Sequence, residues 1–291
     1  MRLASVACAV MALFPFGNAS AAAPKRVLVL THNTFYNHGN LQAIEDVLPE
    51  WGKAGGFTVT SLHGYKQTVS CTTQKPCDPN VADLSMITRK YLSQFDGIVA
   101  STNGELPLTD EGRQALVDFV RMDGRGIVFI HQSVVTLYGF RPWGELLGAY
   151  MGAGVLFDGT NTSKRPAVMK IEDRQHPATR NLPEHWTLDD EFYQFARAAG
   201  VPGPTKLPVP LAFDRRNVHV LVSFDSERTD FAGAPKGWEK GGDYPQVWSQ
   251  SFGRGRTFYT AIGHREDLWR SDAVYRQFLT GAIRWVLHLE K

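Results

Sequence analysis

Four histidines stand at or just beyond the ends of short apolar runs, where a buried strand would pass into a loop. His131 ends "GIVFIH", His264 ends "RTFYTAIGH", and His32 ends "RVLVLTH", with His38 in the loop that follows. Two or more histidines that converge with a carboxylate form either an acid–base centre or a metal site. A lone histidine at a strand end is more often a structural residue held by hydrogen bonds, so the predicted site depends on the four lying together.

An acidic-aromatic segment, "DDEFYQF", sets Asp190 and Glu191 beside Tyr193. Carboxylates accept hydrogen bonds from sugar hydroxyls, and aromatic rings pack against the C–H faces of sugars, so the segment favours a sugar-binding role. The alternative is an acidic helix start that lies over a core of Phe192 and Phe195.

Three further residues are candidates for substrate contact. Asn103 and Glu105 follow a third apolar run in "GIVASTNGE", and Trp248 lies in "YPQVW". The loop "THNTFYNHGN" has the position of a phosphate-binding loop but carries two bulky aromatics, which disfavours phosphate or FMN. Four other histidines have no strand-end placement and are interpreted as surface or packing residues: His63, His185, His219 and His288.

Alternating strands and helices are the elements that must position these groups. In the first half, strands are predicted over Lys25–His32, Phe57–Leu62, Phe95–Thr102 and Gly126–His131, with helices over Leu41–Ala54 and in "LTDEGRQALVDFVRMDG". This β-α-β order requires parallel strands with right-handed crossovers. Ligands bind beyond the carboxyl ends of such strands, so the polar strand ends are expected on one rim.

The second half is more mixed but continues the same domain. Strands are predicted over Ala167–Asp173, Val218–Asp225 and Arg256–His264, a hairpin arm in "PQVWSQSFGRGR", a short helix in "PWGELLGAYMG" and a closing helix in "DAVYRQFLTGAIRWVLHLEK". The predicted fold class is therefore α/β, a three-layer, doubly wound, mostly parallel sheet. Residues 24–291 are expected to form one domain.

The first 23 residues have the composition of a secretory signal peptide, with Arg2, an apolar stretch and the small residues "NASAAA". The apolar stretch is too short to span a membrane. A secreted or periplasmic location is therefore expected, where Cys71 and Cys77 would form a disulfide, the alternative being two free thiols. The formal net charge of +2 and the lack of a basic face exclude nucleic acid as a partner.

The motifs quoted above, taken in order, resemble the ThuA-like family, named for trehalose utilisation. "GRGIVFIH" is similar to its strand ending in "GIHA", "WGELLGAYM" to its "YGELLGAYF", "HPATRNLPEHWTLDDEFYQF" to its "HPATRGLP…W…DEWY", and "GRGRTFYTAIGH" to its "GRVFYTALGH". The resemblance covers about Lys25 to Leu289 and implies the class I glutamine amidotransferase-like variant of the flavodoxin-like fold. The chain departs from the family in having Tyr244-Pro245 where "HP" is usual.

The resemblance implies roles for the candidate residues. His131 falls where amidotransferases keep a nucleophilic cysteine, so acid–base chemistry or metal ligation is expected and amide transfer is not. Asp190, Glu191 and Tyr193 match the acidic-aromatic signature, and His264 matches the strand-end histidine. The family is associated with trehalose and related disaccharides through 3-keto sugars made by partner oxidoreductases.

The leading hypothesis is an acid–base enzyme acting on a glycoside or 3-keto-glycoside by elimination, hydrolysis or isomerisation. His131, Glu191 and His264 are the predicted catalytic groups, and the predicted substrate contacts are His32, His38, Asn103, Glu105, Asp190, Tyr193 and Trp248. One alternative is a non-catalytic sugar-binding module. The other is a metal-dependent hydrolase, although no ligand spacing in the sequence demands a cofactor.

Overall fold

Eleven β-strands and seven α-helices occur in the part of the chain that the computed structural model describes, residues 23–67, 83–157, 166–232, 234 and 237–290. The strands are β1 (Lys25–Leu30), β2 (Phe57–Ser61), β3 (Gly97–Ala100), β4 (Gly126–Ile130), β5 (Met151–Phe157), β6 (Ala167–Ile171), β7 (Trp186–Leu188), β8 (Phe192–Phe195), β9 (His219–Phe224), β10 (Pro245–Phe252) and β11 (Gly255–Thr260). The helices are α1 (Asn40–Gly55), α2 (Gly64–Gln67), α3 (Arg89–Leu92), α4 (Asp110–Arg121), α5 (Arg141–Leu147), α6 (Glu266–Ser271) and α7 (Ala273–Val286). Residues 1–22 of the predicted signal peptide, and both Cys71 and Cys77, lie outside the described residues.

Nine of these strands form one sheet in the order β2-β1-β3-β4-β11-β10-β9-β6-β7. The five strands from β2 to β11 are mutually parallel, and the four that follow pair antiparallel. A separate antiparallel pair joins β5 and β8. Since β1, β3, β4 and β11 point the same way, the residues that follow them share one rim.

Both faces of the parallel strands are covered by helices, which explains why the strands are apolar throughout. Side chains alternate between two cores, with Val27 and Val29 on one face and Leu28 and Leu30 on the other. Helices α1, α6 and α7 contribute to the first core, and α3, α4 and α5 to the second. This is the predicted three-layer α/β arrangement, and the fold class is confirmed.

In the second half, one predicted helix is wrong at its end, and one alternative does not hold. The helix predicted through "GELLGAYMG" ends at Leu147, because Gly148 adopts a left-handed φ of 92° and β5 begins at Met151. The segment "DDEFYQF" is not a helix start, since β8 pairs with β5 and so obtains its backbone hydrogen bonds from a neighbouring strand. Among the described helices, none is long and apolar enough to cross a bilayer.

Candidate functional site

His131 is the first residue after β4 and begins a 3-10 helix, His131–Val135. Its φ is +41°, in the left-handed region that residues with a Cβ seldom occupy. Such a conformation costs about 1–3 kcal/mol and persists only where the surrounding structure enforces it. The hydroxyl of Tyr259 donates to the His131 carbonyl at 3.0 Å and helps hold the turn. The sharp turn leaves the imidazole at the rim of the sheet.

Three side chains from distant parts of the sequence meet at this imidazole. Glu191 Oε2 lies 2.9 Å from His131 Nε2 and 3.0 Å from His264 Nδ1, and the two histidine nitrogens are 3.2 Å apart. The ring of His38 lies 5.4 Å from that of His131 and 5.3 Å from that of His264. One ligand atom from each of the four residues lies within 4.8 Å of all the others. We call His38, His131, Glu191 and His264 the rim cluster.

Backbone carbonyls orient two of the imidazoles in the rim cluster. His131 Nδ1 lies 2.6 Å from the Ala261 carbonyl, and His38 Nδ1 lies 3.3 Å from the Tyr36 carbonyl. A carbonyl can only accept, so the first contact places a hydrogen on His131 Nδ1. Metal-binding histidines typically donate their second N–H in this way. His38 Nδ1 also lies 3.3 Å from the Asn103 amide nitrogen, which can only donate, so its two contacts favour opposite tautomers.

The protonation states also suit a ligand set. Burial lowers the pKa of His38 to about 3, helped by the neighbouring charges of His131 and His264, so this imidazole is neutral at neutral pH. Burial opposes ionisation of Glu191, but its close contacts with His131 and His264 outweigh burial and hold the pKa of Glu191 well below its usual range. Neutral imidazole and ionised carboxylate are the forms that bind metal ions.

Tyr193 adds a hydroxyl to the same point. Its Oη lies 2.6 Å from His131 Nε2 and donates to Glu191 Oε2 at 2.9 Å, and its ring stacks on His131 at 4.4 Å. Burial, and then the charge of Glu191, raise the pKa of Tyr193 well above its usual range. Tyr193 therefore keeps its proton beside the rim cluster.

Asp190 holds the backbone on which His264 stands. Its fully buried carboxylate accepts hydrogen bonds from the N–H groups of Gly263, His264 and Arg265 at 2.6, 3.2 and 3.1 Å. Asp189 accepts in turn from the Arg265 guanidinium at 2.7 Å. The segment that supplies Glu191 is thereby fastened to the segment that supplies His264.

A cavity of about 190 Å³ opens onto the rim cluster. Its polar side is formed by His38, Asn103, Glu191, Tyr193 and His264, and its apolar walls by Phe35, Tyr36, Val135, Met151 and Pro204. A larger cavity of about 610 Å³ shares only Tyr193 with it and contains no histidine. The smaller cavity is therefore the candidate active site, because three residues of the rim cluster line it.

Comparison with known proteins agrees with the geometry. The profile of the ThuA family, described as trehalose utilisation, matches residues 26–286. The chain belongs to the ThuA family. No protein of curated function matches its sequence significantly.

Solved ThuA-like structures share the whole fold. One from Bacteroides uniformis is 21% identical, covers 93% of this chain and 95% of its own, and superposes with a TM-score of 0.60. Another, from Parabacteroides merdae, is 19% identical, covers 91% of this chain and 90% of its own, and superposes with a TM-score of 0.59. The carbohydrate deacetylase Agd3 is 12% identical over 90% of this chain and 32% of its own, with a TM-score of 0.51. The glutamine amidotransferase-like fold of the ThuA family is thus confirmed for this chain.

Several residues expected to contact substrate lie elsewhere in this ThuA-family structure. Trp248 is buried in the core and donates its indole N–H to the Leu147 carbonyl at 2.8 Å. His32 is buried beneath Gly64, and Glu105 accepts from the Gly139 N–H at 3.3 Å. None of these three expected contacts lines the 190 Å³ cavity, and neither does Asp190.

Asn103 does line the cavity, but its side-chain amide makes hydrogen bonds to backbone groups of the neighbouring loop. Its Oδ1 accepts from the N–H groups of Phe35 and Tyr36 at 3.2 Å each, and its Nδ2 donates to the Tyr36 carbonyl at 2.6 Å. Sequence reasoning missed the cavity walls, including Tyr36 and Pro204, because both stand in irregular loops. The two aromatic residues in "THNTFYNHGN" were the sequence feature that could have indicated Tyr36 as part of the cavity wall.

Proposed function

We propose that this ThuA-family protein is a metal-dependent enzyme of carbohydrate metabolism, acting on a glycoside or its 3-keto derivative. The observation that carries the proposal is the convergence of four ligand atoms, one from each residue of the rim cluster, within 4.8 Å. His131 has no exposed side-chain surface, and Glu191 and His264 each expose only 12%. Bringing three imidazoles and one carboxylate together at a cavity is the arrangement of a transition-metal site.

The donor set limits the metal. Imidazole and carboxylate together suit zinc, iron, nickel or manganese. Four protein ligands would complete a tetrahedral zinc shell, whereas an octahedral ion would keep two positions for substrate or water. His38, His131, Glu191 and His264 would together hold one divalent ion of this group. Such an ion, when bound, polarises a sugar oxygen as a Lewis acid.

The protein groups around the rim cluster suit proton movement on a sugar. A 3-keto group acidifies the neighbouring C2 proton, so elimination requires a base at C2 and an acid at the departing C1 oxygen. Tyr193 Oη carries a proton at the edge of the rim cluster and is the nearest group that is not one of its four ligands. We assign Tyr193 the acid role toward the departing oxygen, and a water molecule at the site would take up the C2 proton.

A metal-free acid–base enzyme is the second candidate. The 2.9 Å contact between His131 Nε2 and Glu191 Oε2 is also the geometry of a base and its partner. In that case Glu191 or His264, which line the cavity, removes the proton, and Tyr193 assists as acid. His131 is then the buried partner of Glu191. The same reaction classes follow, so metal content separates the two candidates.

The proposal extends to the setting of the enzyme. Its N-terminal composition supports export to the periplasm or beyond, with a disulfide between Cys71 and Cys77. A 3-keto substrate requires an oxidoreductase upstream, because the keto group is two electrons more oxidised than the parent alcohol. Membership of a family described by trehalose utilisation supports a disaccharide as the substrate.

The test is elemental analysis of the exported protein, followed by turnover of trehalose and 3-ketotrehalose by protein loaded with each metal in turn. We expect about one divalent ion per chain in the wild type and its loss in His131→Ala and His264→Ala. His219→Ala is the matched control, because His219 is exposed and pairs with Asp173 away from the rim cluster. A metal-free wild type with full activity would refute the metal and leave the acid–base candidate.

A further inference from the structure

Tyr36 is unusual among the aromatic side chains of the described residues, because it is the one that is exposed, with 42% of its surface accessible. It stands at the mouth of the candidate active site and forms part of its wall. Its ring meets that of His38 edge-on at 5.2 Å. An exposed aromatic at the entrance to a site of mostly buried groups is a candidate binding surface.

The backbone beneath this exposed ring is held firmly. The Asn103 side chain hydrogen-bonds both the N–H and the carbonyl of Tyr36, at 3.2 and 2.6 Å, and Asn103 is itself 1% exposed. The Thr34 N–H donates to the Asn103 carbonyl at 2.9 Å, which holds the loop at a second point, two residues before Tyr36. A ring on a fixed backbone binds at a smaller entropic cost than one on a mobile loop.

The size of the cavity places part of a disaccharide outside it. A volume of about 190 Å³ lies below the roughly 300–1,000 Å³ typical of pockets for larger ligands, so the cavity suits one sugar ring. A second ring must then lie at the mouth, where Tyr36 and Pro204 form the wall. Both are apolar surfaces of the kind that pack against the C–H face of a pyranose.

We propose that Tyr36 is a specificity-determining residue: it forms an outer platform for the second sugar ring of a disaccharide while the first ring occupies the cavity. This inference rests on the proposed function, because it concerns the substrate of the same site. The proposal predicts that the protein prefers disaccharides, and other glycosides that carry a second ring, over glycosides with a simple alkyl group.

The experiment measures binding, so that it does not depend on turnover. Trehalose and methyl α-D-glucoside, each in parent and 3-keto form, are titrated against metal-loaded wild type, Tyr36→Ala and Tyr36→Phe. We expect Tyr36→Ala to raise the Kd for the disaccharides roughly tenfold, with little change for the methyl glycosides. Tyr36→Phe keeps the ring and should restore the lost affinity. Met122→Ala is the control, because Met122 is similarly exposed but does not line the cavity.

Metal content, measured on the same samples, separates failure of the platform from failure of the proposed function. A wild type that holds metal but shows no preference for disaccharides overturns the platform alone. Equal weakening of both sugar types in Tyr36→Ala also overturns it, because Tyr36 would then act through His38. A metal-free wild type that still prefers disaccharides through Tyr36 supports the platform and refutes the metal site. Absence of any sugar binding overturns both.

Discussion

The carboxylate of Asp190 accepts a 2.6 Å hydrogen bond from the backbone N–H of Gly263, although 73 residues separate them. The residues that follow each of them, Glu191 and His264, meet in the rim cluster at 3.0 Å. One buried contact therefore aligns two chain segments, and the side chains next to it supply the ligands. The placement of His264 depends on a residue that does not itself line the cavity.

We expect Asp190→Asn to weaken metal binding in addition to lowering the free energy of unfolding, because Asp190 holds the backbone on which His264 stands. The amide offers one acceptor and one NH₂ donor where the carboxylate meets three backbone N–H groups, so at least one N–H loses its partner. Hydrogen bonds to a charged group contribute about 1.5–3 kcal/mol each. Urea unfolding and metal titration measure the two effects. Asp189→Asn, which changes a partly exposed partner of Arg265, is the control; equal metal affinity in the two variants would contradict the positioning role.

Tyr193→Phe should keep the metal and lose turnover. The phenylalanine preserves the ring that stacks on His131 at 4.4 Å but removes the hydroxyl that contacts His131 and Glu191. A positioned proton donor contributes about 10²–10⁴-fold to rate, so kcat should fall within that range while Kd for substrate changes little. Steady-state kinetics with elemental analysis test this. Unchanged kcat would remove Tyr193 from the proton transfer.

The stability of the metal-free protein should fall as the pH drops from 7 to 5. Burial, aided by His131 and His264, lowers the pKa of His38 from 6.5 to about 3 in the folded state. The unfolded chain therefore binds more protons in this window, and the free energy of unfolding decreases with decreasing pH. His38→Asn should show a shallower decrease in urea unfolding.

Comparison of the two proteins isolates His38. Burial also lowers the pKa of His176, to about 4, but this histidine is present in both proteins and cancels in the difference. Parallel pH profiles for wild type and His38→Asn would mean that His38 is not held neutral by the fold.

Gly263→Ala should destabilise the fold and disturb the rim cluster. Gly263 has a φ of +130°, and an added Cβ would lie 2.4 Å from Tyr275 Oη. We expect a loss of about 1–3 kcal/mol, from backbone strain together with the displaced hydroxyl. Thermal unfolding measures the loss.

Two other glycines serve as matched controls for this substitution. Gly200 has a positive φ of +81° but open space around an added Cβ, so Gly200→Ala measures the cost of backbone strain alone. Gly39→Ala has neither problem, with a φ of −69° and no atom within 4 Å, and should be near neutral. Equal effects at all three positions would show that Gly263 is not required by the site.

Local patterns were sufficient for most of the parallel half of the fold. The apolar runs ending at His32 and His131 correspond to β1 and β4, and the helix predicted in "LTDEGRQALVDFVRMDG" is α4, capped by Thr109, which accepts from the Gly112 N–H at 3.0 Å. These elements depend on hydrophobic periodicity and capping, which are properties of short windows. Strands β7 and β8 escaped prediction because they have only three and four residues, too few to show a periodic pattern, and β5 because its first residues continue an apolar helical pattern.

The sequence by itself determined that histidines follow the strand ends of an α/β domain of the ThuA family and that an acidic-aromatic segment is available to join them. Only the tertiary structure decided which of them meet: His38, His131, Glu191 and His264 converge, while Trp248 enters the core. Strand order and the loop fastened by Asp190 control those distances, and neither is encoded in a local pattern. Spacing along the chain can predict the rim on which a residue lies, but contacts across the rim depend on how the whole sheet is assembled.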